Sequence, residues 1–197
     1  MPSSMLENLP NFLTYSRILA IPLIIAIFYY PRPWTDWAAF GIFVAAAITD
    51  YFDGKLARAW HVTSMLGRLL DPIADKMLVT AVLFMLASNK RLNGTALIPA
   101  VVILLREVLI SGLREFLASI NARGVPVTWL AKWKTAIQMV AISFLILGPS
   151  GTRATGDRVN FTLIGVSGIW VAAALTLVTG WGYLREGVRQ AGAVDRK

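Results

Sequence analysis

Four aspartates carry the spacing of a site that could do chemistry. Asp50 and Asp53 are three residues apart and Asp71 and Asp75 four apart, so each pair would share one face of a helix. The first pair closes one apolar stretch and the second opens the next, which would set the two pairs facing each other across a hairpin. On insertion scales a carboxylate in a membrane span costs roughly 2.5–3.5 kcal/mol, so four together cost about 10–14 before their mutual repulsion is counted. Divalent cations turn that liability into a binding site. Hard oxygen donors suit Mg2+ or Mn2+, which keep several waters and contact substrate phosphates. Read alone, Asp53-Gly54 is a helix-ending turn, and Asp71-Pro72 is an N-cap followed by proline at N1. Only Lys55, Arg58, Arg68 and Lys76 lie nearby as counter-ions, so purely structural pairing of all four acids is the weaker reading.

Small residues follow at the same spacing. Asp50, Asp53, Gly54 and Ala57 share a face nearly free of side-chain bulk, on which a flat ligand could lie, and Gly67 precedes Asp71 and Asp75 at intervals of four. Close packing of helices uses the same residues and is compatible with that role. Arg58 sits at the mouth, where it could neutralise a phosphate.

The elements that must hold these residues are membrane helices. Of 197 residues, 56% are hydrophobic and 15% charged, and the mean hydropathy is +0.62. Soluble proteins average about 45–50% apolar and about 25% charged, a gap too wide for one unusual helix. Six stretches are long and apolar enough to span: 12–30, 37–55, 69–88, 96–114, 128–147 and 161–183. Pro31-Arg32-Pro33, Asn93-Gly94, Gly124-Val125-Pro126 and Gly148-Pro149-Ser150-Gly151 punctuate their ends, and residues 149–160 read as the longest outer loop. Six of the seven tryptophans fall near span ends, where indole prefers the interface, and Trp170 alone is mid-span. Without Lys or Arg before Phe12, no cleavable signal peptide is expected. No internal repeat is evident, so one helical domain is expected over 1–197.

The net charge of +8 and pI near 10.2 would suggest nucleic acid in a soluble protein. Here twelve basic residues, from Arg17 through Lys55, Arg58 and Arg68 to the tail, fall on one side, and five, Arg32, Lys90, Arg91, Arg153 and Arg158, on the other. That asymmetry predicts both termini in the cytoplasm. With no cysteine, disulfides, thiolate nucleophiles and Cys-ligated metals are excluded. The one histidine, His61, falls in a loop and is expected to be merely exposed.

The run Asp50-x-x-Asp53-Gly54-x-x-Ala57-Arg58, eight residues, then Gly67-x-x-x-Asp71-x-x-x-Asp75 resembles the full signature of the CDP-alcohol phosphotransferases. The resemblance implies a six-helix membrane fold, a homodimer, and transfer of a phosphatidyl group from a CDP-linked lipid to an alcohol. It implies two divalent ions, Mg2+ or Mn2+, held by the four aspartates against the donor pyrophosphate, with Asp75 also the base. Asn11, Thr14, Arg58 and Ser64, with the small residues Gly54, Ala57 and Gly67, are the candidates for contacts to the CDP-lipid.

Other stretches narrow the acceptor. Leu9-Pro10-Asn11-Phe12-Leu13-Thr14-x-x-Arg17, Arg106-Glu107 with Ser111-x-Leu113-Arg114-Glu115, and Lys132-x-Lys134-Thr135-x-x-Gln138 are similar to bacterial members of the family that take sn-glycerol 3-phosphate. The resemblance thereby implies a bacterial plasma membrane, a cytoplasmic active site, and phosphatidylglycerophosphate and CMP as products. Physical reasoning points the same way: Arg106 and Arg114 lie eight residues apart on nearly one face, and with Lys132 and Lys134 they could hold a phosphate dianion. Positive-inside topology alone also accounts for Arg114, Lys132 and Lys134. Glu107 lies about 100° round the helix from Arg106, so partners for Arg106 are expected on other helices. The competing readings are a sister enzyme using inositol phosphate, serine or phosphatidylglycerol, and a cation transporter, which would set such acids near the bilayer midplane. Phospholipase-D-type chemistry needs two histidine motifs and is excluded by a single His.

Overall fold

The structure is a computed structural model. It describes the backbone of residues 3–30, 33–60, 65–120 and 128–194, and the side chains of 15–30, 33–49, 70–120 and 128–192. Six α-helices lie among the described residues: α1 (Ser3–Phe28), α2 (Pro33–Trp60), α3 (Met65–Ser88), α4 (Leu97–Ser119), α5 (Trp129–Ala154) and α6 (Phe161–Val194), with one 3-10 turn at Gly94–Ala96 before α4.

Each expected span lies largely within one helix, and the helices run on past the apolar stretches. α1 begins earlier than residue 12, α2 continues to Trp60, and α6 to Val194. Hydropathy reports only the part of a helix that lipid would cover, so polar helical extensions escape it. Two local readings are thereby corrected. Asp53-Gly54 does not end a helix, because α2 continues beyond it, and Asp71 is not an N-cap, because Pro72 lies inside α3. At Pro72 the missing N–H removes one bond of the helical ladder.

By length and composition, Gly94–Ser119, Trp129–Ala154 and Phe161–Gly192 can cross a membrane, and Tyr15–Phe28 is a shorter apolar helix. Large apolar side chains face outward along α4 and α6, among them Leu105, Val108, Leu109, Leu163, Leu177 and Val178. So much exposed hydrocarbon is unstable against water and suits lipid. The chain is a helical membrane protein.

The backbone clusters into two compact units. The first comprises 1–92 with 142–162, the second 93–141 with 163–197, and the division falls inside α5. In the first unit α1 packs against both α2 and α3. Ile21, Ile24 and Phe28 of α1, Ala39 and Phe43 of α2, and Leu78, Val82 and Leu86 of α3 are buried there.

The break in α5 corrects the expected outer loop. Gly148 adopts φ 37°, ψ −120°, a conformation open to glycine, and the helix then resumes to Ala154. Pro149 thus opens a new helical turn, where its missing N–H costs nothing. Only 155–160 remains a connection. The carbonyl of Leu145, which Pro149 cannot serve, instead accepts from Arg91 Nη1 at 3.4 Å, and the Ile146 carbonyl accepts from the same nitrogen. Arg91 is delivered there by the end of α3. Lys90 turns into the left-handed region (φ 56°), with Arg91 N donating to Leu86 O and Lys90 N to Ala87 O, a Schellman cap. The other face of the Arg91 guanidinium meets Asp36 Oδ1 at 2.5 Å, and Ser150 Oγ donates to Asp36 Oδ2 at 2.5 Å. One buried carboxylate therefore ties α2, the end of α3 and the resumed part of α5 together.

Candidate functional site

The carboxylate helices show a common logic of register. On α2, Ala39, Phe43 and Ala46 form a buried row at steps of four and three, and the same steps lead on to positions 50, 53 and 57. Asp50, Asp53, Gly54, Ala57 and Arg58 all lie on α2, with positions 50, 53 and 57 in the register of that row; their side chains are outside the described residues. On α3, positions 67, 71 and 75 run at steps of four into buried Val79 and Leu83. Asp71 and Asp75 are half-buried at the open end of that row. Both acid pairs thus continue, in backbone register, rows that farther along are core.

The donor set fits a hard divalent cation. Asp71 and Asp75 carry carboxylate oxygens one turn apart, the donor type such a cation takes, and α1 packs against both acid-bearing helices. Among the described residues no group of three or more metal-type side chains forms, because two of the four expected ligands fall outside them. The side chains of Asn11, Thr14 and Gly67 and the whole of Ser64 also lie outside the described residues.

Sequence reasoning assigned Arg17 to topology. The structure buries it to 2% exposure on the core row of α1, in line with Ile21, Ile24 and Phe28. This guanidinium lies on the helix that packs against both acid-bearing helices. The signal was present in the spacing 17, 21, 24, 28, which places an arginine where an apolar residue is due.

The second unit gathers the expected basic residues. Arg106 Nη1 lies 3.2 Å from Glu107 Oε1, and its Nη2 donates to Thr179 Oγ1 of α6 at 3.2 Å. The partner expected on another helix is therefore present in Thr179, and Arg106 also pairs with Glu107 of its own helix, which the angle between them had made awkward. Both side chains are long enough to bridge the angle between their positions, and Arg106 reaches α6 as well. Lys134, at 5% side-chain exposure, donates from α5 to the same Glu107 oxygen. Tyr183, buried on α6, links the next cation: Arg106 Cζ lies 5.7 Å from its ring centre and Arg114 Cζ 5.0 Å, while Arg114 Nη2 donates to the Tyr183 hydroxyl at 3.1 Å. Gly180 makes room for this layer, since a Cβ there would stand 3.1 Å from Arg106 Cγ. Lys132, by contrast, is exposed and outside the network.

Four polar atoms in this unit are buried with no hydrogen-bond partner among the described residues, Arg106 Nε, Gln138 Oε1, Thr176 Oγ1 and Gln190 Oε1, and the first two lie at the cation cluster. Gln138 lies one turn beyond Lys134 on α5 and is buried to 3% exposure. Buried polar atoms are nearly always satisfied in folded proteins, so a donor and an acceptor left over beside a cation cluster suit a polar ligand.

The family model for CDP-alcohol phosphatidyltransferase matches residues 7–179. A protein of Rickettsia bellii named CDP-diacylglycerol–glycerol-3-phosphate 3-phosphatidyltransferase is 46% identical over 179 residues, covering 91% of this chain and 94% of its own length. Proteins of the same name from Cereibacter sphaeroides and Shigella flexneri are 41% and 39% identical, covering 91% and 86% of this chain and 95% and 89% of their own lengths. With its aspartate signature intact and its matches nearly full-length, the chain belongs to the CDP-alcohol phosphatidyltransferase family.

Proposed function

We propose that this enzyme transfers the phosphatidyl group of CDP-diacylglycerol to the primary hydroxyl of sn-glycerol 3-phosphate, giving phosphatidylglycerophosphate and CMP. The single observation that carries the acceptor is the buried cluster of Arg106, Lys134 and Glu107 with Arg114 held alongside by Tyr183. A neutral alcohol gives no reason to bury two cations, whereas a phosphate monoester, close to dianionic at neutral pH, does. The names of the relatives point to the same acceptor.

In this reading Asp50, Asp53, Asp71 and Asp75 hold two divalent cations, Mg2+ or Mn2+. When bound, these supply charge neutralisation at the donor pyrophosphate as CMP departs. Gly54, Ala57 and Gly67 leave the face beside the acids free for the nucleotide, and Asn11, Thr14, Arg58 and Ser64 contact the CDP-lipid. Arg106, Arg114 and Lys134 hold the acceptor phosphate and so orient its far hydroxyl, while the exposed Lys132 is left out of the pocket. Asp75 accepts the hydroxyl proton as the oxygen attacks the phosphatidyl phosphorus; the bond from that phosphorus to the CMP oxygen breaks, and CMP leaves with the electron pair. The protein works as a homodimer in a bacterial plasma membrane, with both termini and the active site facing the cytoplasm.

The test is CMP release by purified enzyme given CDP-diacylglycerol with glycerol 3-phosphate, inositol phosphate, serine or phosphatidylglycerol in turn. Glycerol 3-phosphate alone should support turnover. Turnover with another alcohol and none with glycerol 3-phosphate would overturn the reading.

A further inference from the structure

Glu107 is an acid at the centre of a site expected to attract an anion. One of its oxygens meets both Arg106 of its own helix and Lys134 of α5. Both cations are largely buried, at 11% and 5% side-chain exposure, and they come from different helices. Without an acid between them, two such cations would repel each other in a medium that screens poorly. Arg106, Arg114 and Lys134 together with Glu107 carry a formal charge of +2, equal and opposite to a phosphate dianion. The Arg106 Nε donor is buried and unpartnered among the described residues, while Nη1 pairs with Glu107 and Nη2 with Thr179, so it remains for a ligand.

We propose that Glu107 is a positioning residue for the acceptor phosphate: it fixes Arg106 and Lys134 as a pair and trims the cluster's charge to that of a phosphate dianion. The inference rests on the acceptor reading given above. Glu107 touches no reacting atom. It acts through the two cations, and its effect belongs in acceptor binding and not in the chemical step.

The experiment compares Glu107→Gln, Lys134→Met and the double variant by steady-state CMP release, varying each substrate separately. Glu107→Gln keeps the shape and removes the charge. It should raise KM for glycerol 3-phosphate about tenfold or more, the loss typical of a hydrogen bond to a charged group. Turnover at saturating acceptor and KM for CDP-diacylglycerol should stay within about twofold of the parent, well below that tenfold effect. Because Glu107 acts in part through Lys134, the double variant should lose less acceptor binding than the two single losses combined. If Glu107→Gln does not fold, the double variant, having lost one charge of each sign, provides the same comparison. Equal loss of activity toward both substrates, additive effects in the double variant, or a lowered KM for glycerol 3-phosphate in Glu107→Gln would each overturn the proposal. Failure of the acceptor reading looks different: Lys134→Met would then leave KM for glycerol 3-phosphate unchanged. A raised KM in Lys134→Met with none in Glu107→Gln refutes the role of Glu107 alone.

Discussion

Replacing Arg91 by methionine should destabilise the first unit more than any surface substitution. The guanidinium meets Asp36 at 2.5 Å and supplies donors to the Leu145 and Ile146 carbonyls just before the α5 break. Asp36 is buried to 7% exposure and would keep Ser150 among its known donors. Removing one partner of a buried ion pair costs about 3–5 kcal/mol, because the remaining charge is left uncompensated. Against a total folding stability of about 5–15 kcal/mol this is a large fraction. At about 2–4 °C per kcal/mol for a chain of this size, the midpoint of thermal unfolding should fall by roughly 6–20 °C. The assay is unfolding in detergent, with Asp36→Leu/Arg91→Met alongside. Replacing both charges by apolar groups should recover most of the loss. A midpoint within about 2 °C of the parent, less than 1 kcal/mol, would refute the reasoning. So would a double variant no more stable than Arg91→Met.

Other outcomes follow from the proposed site and from the packing. Asp75→Asn should lower CMP release by about 10²–10⁴-fold, the range for a lost general base, without shifting the unfolding midpoint; near-parental turnover would remove Asp75 from the mechanism. Chelation of divalent cations should abolish CMP release and added Mg2+ or Mn2+ restore it, whereas turnover persisting in excess chelator would contradict a metal site on the aspartates. Gly168→Ala would bring a Cβ to 2.7 Å from Ala141 Cβ on α5, where the Ala141 backbone also lies close. It should cost about 1–3 kcal/mol by overpacking, whereas Gly192→Ala, with open space, should be tolerated; equal midpoints for the two would show that α5 and α6 can part without cost.

The readings that the chain's own sequence supported are those governed by short spacing. Asp71 and Asp75 one turn apart and positions 50 and 53 on one row follow from helical periodicity, which needs no partner, whereas the burial of Arg17 in line with Ile21, Ile24 and Phe28 is passed over for a topology charge. The misreadings share a cause. Gly148-Pro149 looks like an end because both residues interrupt a helix, yet glycine can absorb the break and proline can open the next turn. Asp71-Pro72 looks like a start for the same reason, and there the helix had already begun at Met65.

Sequence by itself determined the membrane class, the acid rows and the family, because hydropathy and periodicity are local and the aspartate signature is compact. Only tertiary structure decided which charges are partners. Asp36 finds Arg91 and Ser150 at separations of 55 and 114 residues, and Glu107 finds Lys134 at 27. A charge buried against lipid or core must meet its opposite, but the chain sets no distance along itself at which that must happen; the packing of the helices sets it. Arg91, which in sequence looks like one more positive charge marking topology, thereby becomes the clasp for a helix break, and Lys134, already a candidate for the acceptor phosphate, gains Glu107 as its partner.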